Sequence, residues 1–190
     1  MSVLEMEEKI IVRLTWDEYR GYMDKCLDDM RIQEYVPDYM IVLGRGGFYF
    51  GDFLTRRIQH LKDRTFWLLA SSYYDGVSSV EKQNNIIRMS EHACTLNDLP
   101  LSELLQSAAD SAEGQLKAIP KLRILICDDM CDGGRTASFI FNYFRDQSPN
   151  VDFRFATVLC KPHSQFKPDF NGRLMPTNDW VRQPFEVDVE

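Results

Sequence analysis

No apolar run in the sequence approaches the roughly 20 residues that a helix needs to cross a bilayer, so a membrane partner is not expected. Positive charge is also short. Across 190 residues, 22 lysines and arginines stand against 29 aspartates and glutamates, a formal charge of −7. A sequence-independent nucleic-acid binder needs a basic footprint. The balance therefore excludes nucleic acid as an expected partner and leaves room only for a local basic pocket, such as one for a phosphorylated small molecule. Cysteine is sparse and unpatterned: Cys26, Cys94, Cys127, Cys131 and Cys160 are odd in number, form no C-x-x-C, and have no histidine companions that would complete a zinc site. They read as reduced thiols of a cytoplasmic protein. The opening residues Met-Ser-Val-Leu-Glu-Met-Glu-Glu are acidic where a secretory signal is basic, so no signal peptide is expected. There is no internal repeat and no Walker lysine.

Three short apolar runs are rich in branched or aromatic residues: Met40–Leu43, Phe66–Leu69 and Leu122–Cys127. A fourth, Phe153–Leu159, is partly alternating. Near-continuous runs of this length suit strands covered on both faces, as in a parallel sheet. Helical spacing lies between them. Thr15 with Glu18 three residues on forms a capping box ahead of a helix opening at Trp16. Further helices are expected over Phe48–Leu61, Leu101–Ile119 and Thr136–Phe144. The last-but-one of these carries Leu104, Leu105, Ala108, Ala112 and Leu116 on one stripe. Strands alternating with helices predict an α/β fold with a mostly parallel sheet flanked by helices. Residues 1–190 read as one domain of a size that can bury a real core, with a polar stretch from Asp75 to about Pro100 that is longer than usual loops.

Ligands of such sheets sit beyond the carboxyl ends of the strands, which singles out two junctions. At the first, Gly44-Arg45-Gly46-Gly47 follows a strand and precedes a helix. It lacks the G-x-G-x-x-G dinucleotide pattern because Tyr49 occupies the third glycine position. At the second, an apolar strand is expected to end at Cys127, followed by Asp128-Asp129-Met130-Cys131-Asp132-Gly133-Gly134-Arg135-Thr136. Glycines at a strand-to-helix turn let backbone amides approach an anion, and the helix adds its N-terminal dipole. Three carboxylates beside such a cradle would repel a phosphate unless they serve hydroxyls, a divalent cation or a proton.

The run Ile124–Thr136 resembles the phosphoribosyl-diphosphate (PRPP) signature of type I phosphoribosyltransferases: four apolar residues, two acids, two mostly apolar residues, then Asp-Thr/Ser-Gly-x-Thr. The resemblance implies that Asp128 and Asp129 hold the ribose hydroxyls and Mg²⁺. It also implies that Asp132, Gly133, Gly134, Arg135 and Thr136 wrap the 5′-phosphate, and that Asp132 is the catalytic general base. Gly133 departs from the pattern, since it stands where the family has threonine or serine, and one hydroxyl contact is lost. Arg45-Gly46-Gly47 resembles the pyrophosphate loop of bacterial purine enzymes. Ser71-Ser72-Tyr73-Tyr74-Asp75 matches the opening of the loop that closes over the site.

Leu159-Cys160-Lys161-Pro162 looks like the strand end whose lysine donates to a purine's exocyclic oxygen. Asp179-Trp180-Val181-Arg182-Gln183-Pro184-Phe185-Glu186 is similar to the tail of bacterial xanthine–guanine phosphoribosyltransferases. There Trp180 would stack on the base and the Val181 carbonyl would read its exocyclic amine, within a small C-terminal hood. A tryptophan of that tail is replaced by Phe185. The resemblance covers residues 15–75 and 120–187, leaves 76–119 as an atypical insertion, and gives His163 no role. It implies transfer of a phosphoribosyl group to a 6-oxopurine, with Mg²⁺ as cofactor and PRPP and a purine base as partners, in a homodimer or homotetramer. Two other readings stay open: a different acceptor, or a PRPP- or nucleotide-sensing regulator.

Overall fold

The computed structural model describes residues 11–72, 87–89, 101–113 and 121–186. The described residues form eight strands and four α-helices in the order β1 Ile11–Arg13, α1 Trp16–Ile32, β2 Tyr39–Gly44, α2 Gly47–Arg57, β3 Thr65–Ser72, β4 Ile87–Met89, α3 Leu101–Glu113, β5 Arg123–Cys131, α4 Arg135–Gln147, β6 Asp152–Cys160, β7 Phe170–Leu174 and β8 Trp180–Arg182. A 3₁₀ turn at Gln59–Asp63 follows α2.

The larger sheet has strand order β4-β3-β2-β5-β6-β7. Five of its strands run parallel, and β4 pairs antiparallel with β3. The runs are apolar without alternation because both faces are covered. Met40, Val42, Leu125 and Cys127 face a core built with α1 and α2. Ile41, Leu43, Ile124 and Ile126 face a second core that includes Leu104 and Leu105 of α3 and Ile140 and Phe144 of α4. Fully burying each such side chain contributes about 1.5–3 kcal/mol. A separate two-stranded parallel sheet joins β1 to β8, with Val12 opposite Val181.

The capping box at the start of α1 is present in full: Glu18 N–H donates to Thr15 Oγ1, and the Thr15 N–H donates to Glu18 Oε2. Not every boundary falls where expected. The helix after the first junction stops at Arg57, and its last stretch tightens into the 3₁₀ turn. The helix expected to Ile119 is described to Glu113, and residues 114–120 lie outside the described set. Strand β5 does not end at Cys127 but runs through Cys131, because its ladder to β6 continues from Asp128 opposite Thr157 to Cys131 opposite Cys160. The acid pair therefore belongs to the strand, not to the turn after it. Within the long polar stretch β4 is described, while Tyr73–Asp75 and Cys94 lie outside the described residues.

Candidate active site

The chain leaves β2 toward β3 on one side of the sheet and leaves β5 toward β6 and β7 on the other, so the strand order reverses between β2 and β5. Such a switch point opens a crevice at the carboxyl ends of the two strands. The last pair in the β2–β5 ladder is Val42 with Cys127. Beyond it β5 has no further ladder pair with β2, and Gly46 and Gly47 lie against the acid pair. A Cβ on Gly46 would lie 2.3 Å from Asp129 Cγ, and one on Gly47 would lie 3.1 Å from Asp128 Cα. Only glycine lets the loop approach so closely. The Gly44–Arg45 peptide is cis. Neither α2 nor α4, whose N-termini both meet this crevice, has a side-chain hydrogen bond at its N-cap. The first-turn amides there are the natural anion donors of the site.

At the second junction Gly134 is left-handed at φ 79°, and a Cβ there would lie 2.6 Å from the Phe166 backbone nitrogen. Gly133 is its opposite: a Cβ there would meet nothing within 4 Å. The turn is tied to the segment after β6. Lys161 N–H donates to the Cys131 carbonyl at 2.9 Å, Gln165 N–H to the Gly133 carbonyl at 3.2 Å, and Ser164 Oγ lies 3.1 Å from Cys131 Sγ. Burial pushes the Cys131 thiol up to about 11. Cys26 is pushed up to about 12 for the same reason, and Cys127 also rises. The four described cysteines are free, buried thiols.

Lys161 is 3% exposed and its Nζ lies 2.9 Å from Asp132 Oδ1, which places the two residues in one ion pair. Asp132 is 49% exposed in its side chain and keeps an open side toward solvent. The same ammonium lies 5.8 Å from the centroid of the Trp180 ring, which is 47% exposed. Val181 is 1% exposed and is held in the β1–β8 ladder. Arg135 is exposed at the start of α4, with Thr136 partly buried behind it. The residues expected to clamp a base and those expected to wrap a phosphate thus meet through Asp132. Arg45, Gly46, Asp129 and Trp180 share a cleft of about 740 Å³ with Ile11, Tyr49, Arg182, Phe185 and Glu186.

Several contributions escape a reading of the sequence. Gln183, 2% exposed, donates through Nε2 to Asp129 Oδ2, and its Oε1 has no partner among the described residues. Its place two residues beyond Val181 was visible, its target across the fold was not. Tyr49 stacks on Phe185 with ring centroids 4.4 Å apart, and Trp16 packs at 5.6 Å from Tyr49, so the tail is anchored on α1 and α2. His163 lies with Nε2 3.3 Å from Asp132 Oδ1. Asp128 sits in an unfavourable place for a charged carboxylate. Burial of its carboxyl, and then the charge of Asp129, push it well above the usual carboxylate range. The Asp129 N–H donates to Asp128 Oδ1 at 2.9 Å. Two adjoining carboxylates, one of them desolvated, suit a divalent cation that completes its shell with ligand oxygens, as Mg²⁺ does.

A model of the phosphoribosyl transferase domain matches residues 15–190. The fold is similar to that of a purine phosphoribosyltransferase from Pyrococcus horikoshii, with TM-score 0.64 and 18% identity over 94% of this chain and 95% of that one. It is similar to the same degree to the Helicobacter pylori xanthine-guanine-hypoxanthine phosphoribosyltransferase, with TM-score 0.64 and 18% identity over 95% and 96% of the two chains. A Neisseria gonorrhoeae protein crystallised with ppGpp follows, with TM-score 0.59 and 15% identity over 95% and 92%. At these identities the neighbours speak for the fold, and the domain match carries the family. With its glycine loop and acid pair at the switch point, the chain belongs to the phosphoribosyltransferase family and is a phosphoribosyltransferase of the type I fold.

Proposed function

We propose that the chain, as one domain with an insertion at about 76–119, transfers the phosphoribosyl group of PRPP to N9 of a 6-oxopurine and releases pyrophosphate. The observation that carries the choice of acceptor is the buried Lys161 ammonium, held by Asp132 and 5.8 Å from the Trp180 ring. An ammonium has three donors and no acceptor, so it suits a 6-oxo group and opposes a 6-amino group. An indole face adds about 1–3 kcal/mol per stacked base.

The remaining residues take roles in order along the ligand. The Arg45 guanidinium and the amides of Gly46 and Gly47 bind the leaving pyrophosphate. Asp128 and Asp129 hold the ribose hydroxyls and would hold Mg²⁺; the ion supplies charge neutralisation on the pyrophosphate when bound. Asp132 to Thr136 wrap the 5′-phosphate, and the Val181 carbonyl reads the edge of the base. The bond from ribose C1′ to the pyrophosphate oxygen breaks as the bond from C1′ to N9 forms, and Asp132 accepts the proton that the purine's five-membered ring gives up. The charge that develops at C1′ lies near the acid pair, which favours it electrostatically.

Gly133 favours a second reading, a regulator that binds PRPP or a nucleotide without useful turnover, because the position offers the phosphate no hydroxyl. A pyrophosphate-release assay with PRPP, Mg²⁺ and a panel of guanine, xanthine, hypoxanthine, adenine, orotate, uracil and nicotinate separates the two. Turnover restricted to the 6-oxopurines supports the transferase. Binding of PRPP with no turnover on any base supports the regulator, and turnover on adenine or a pyrimidine overturns the Lys161 assignment.

A further inference from the structure

His163 sits beside Asp132 but outside every role assigned so far. Its backbone N–H donates to Asn178 Oδ1 at 3.2 Å, and its ring Nδ1 contacts the same oxygen. A backbone N–H can only donate, so the Asn178 atom it meets is the carbonyl oxygen and not the amide nitrogen. An oxygen with two lone pairs accepts from both, and Nδ1 must therefore carry the ring proton. In the neutral imidazole the other nitrogen, Nε2, is then a lone pair. That lone pair lies 3.3 Å from Asp132 Oδ1, the oxygen already bound to the Lys161 ammonium at 2.9 Å. Two acceptors facing each other at that distance form no hydrogen bond until a proton arrives between them. The charged groups facing the imidazole are the Asp132 carboxylate and, across it, Lys161.

We propose that His163 takes over the proton that Asp132 accepts from the purine. This rests on the transferase reading above and deepens it. The proton leaves the ring nitrogen of the base for an Asp132 oxygen. It then passes from that oxygen to Nε2 of His163, which gives the imidazolium form while Nδ1–H stays on Asn178, and restores the Asp132 carboxylate. Lys161 keeps its own protons throughout, because it is fixed on Asp132 as the donor to the base. The His163 side chain is 43% exposed, so the imidazolium returns its proton to water. His163 thus acts through Asp132 and not on the base itself.

The test uses the full-length protein. In His163→Ala, kcat should fall at least about tenfold, a small part of what general acid–base catalysis commonly supplies, while the KM for PRPP stays within about twofold. Added imidazole should restore kcat in a concentration-dependent manner, a response that a purely structural role would not give. An unchanged kcat, or a loss indifferent to imidazole, overturns the relay and leaves the transferase reading standing. A ¹⁵N-imidazole spectrum of the resting protein reads the tautomer with no substrate present. In the neutral ring the proton is expected on Nδ1, and a neutral ring protonated on Nε2 instead overturns the relay. Absence of turnover in the wild-type protein overturns the transferase reading, and the relay falls with it.

Discussion

The departure at Gly133 gives the most demanding test of the phosphate turn, because its neighbour supplies an internal control. A Cβ at Gly133 meets nothing within 4 Å and the residue is not left-handed, whereas Gly134 sits at φ 79° with a Cβ 2.6 Å from backbone. In Gly133→Thr the new hydroxyl can donate to a 5′-phosphate. A hydrogen bond to a charged group is worth about 1.5–3 kcal/mol, from which fixing the threonine rotamer removes roughly 0.5–1 kcal/mol. The net of about 0.5–2.5 kcal/mol corresponds to PRPP binding about 2- to 70-fold tighter. Loss of a glycine from the unfolded chain should also raise stability slightly, by up to about 1 kcal/mol. Gly134→Ala should do the reverse: a left-handed alanine costs roughly 1–2 kcal/mol before any clash with the Phe166 backbone is counted. Calorimetric titration of PRPP in the presence of Mg²⁺, alongside thermal melts of both variants, reads all four quantities. If Gly133→Thr melts at or above the wild type yet binds PRPP no tighter, the turn does not face the 5′-phosphate and the reasoning from the signature fails.

Three further outcomes are expected. Asp128 is raised by burial and by Asp129, so the folded protein keeps a proton that the unfolded chain has lost above about pH 4. Stability should fall as pH rises from there through the raised value. Asp128→Asn should flatten that slope in urea melts between pH 4.5 and 8 while abolishing Mg²⁺-dependent stabilisation by PRPP; an unaltered slope would refute the burden placed on Asp128. Lys161→Ala should raise the KM for oxopurines about 10- to 100-fold, by the loss of one charged hydrogen bond, and leave binding of PRPP alone nearly unchanged. Steady-state kinetics across the base panel decide it, and unaltered selectivity would move the base clamp elsewhere. Gly46→Ala puts a methyl 2.3 Å from Asp129 Cγ and must displace either the loop or the acid. Activity should drop by at least about a hundredfold with a small change in melting temperature, since one side of the contact is a loop.

The strand and helix framework was legible because its signals are local. Val42 and Ile126 sit in runs apolar on both faces, and Thr15 and Glu18 form a capping box that needs only a three-residue spacing. The site was legible in part because its glycines and carboxylates lie consecutively at two junctions. The contacts that join the junctions were not. Nothing in Gln183 as a letter says that its amide reaches Asp129, 54 positions away, and nothing in His163 says that it meets Asp132. Such pairings depend on how β6 and β8 are placed relative to β5, which is tertiary geometry. The misplaced end of β5 has the same origin. Carboxylates look like a strand terminator when read along the chain, but the ladder to β6 is set by backbone pairing, which ignores their charge.

That extension of β5 explains why the acids and the glycine loop must occur together. Since the β2–β5 ladder ends at Val42 with Cys127 while β5 runs on to Cys131, Asp128 and Asp129 have no ladder partner from β2 on that side of the strand. A loop carrying Cβ atoms could not close that side, because Gly46 already abuts the Asp129 carboxyl. Left open, the pair would be solvated and Asp128 would titrate as an ordinary carboxylate. Closed over by glycine, it is desolvated and raised, and the free energy stored in that repulsion is released on binding a cation or ribose hydroxyls that satisfy it. Gln183, just after β8, also holds Asp129 through its amide, so that one acid is fixed by the tail while the other is kept desolvated beside the loop. A single substitution on either junction should therefore alter the affinity contributed by the other, and the Gly46→Ala and Asp128→Asn effects on PRPP binding should be strongly non-additive in a double-mutant cycle. Additivity within about 0.5 kcal/mol would mean that the loop and the acid pair bind their parts of the ligand independently, and that the close packing between them serves only the fold.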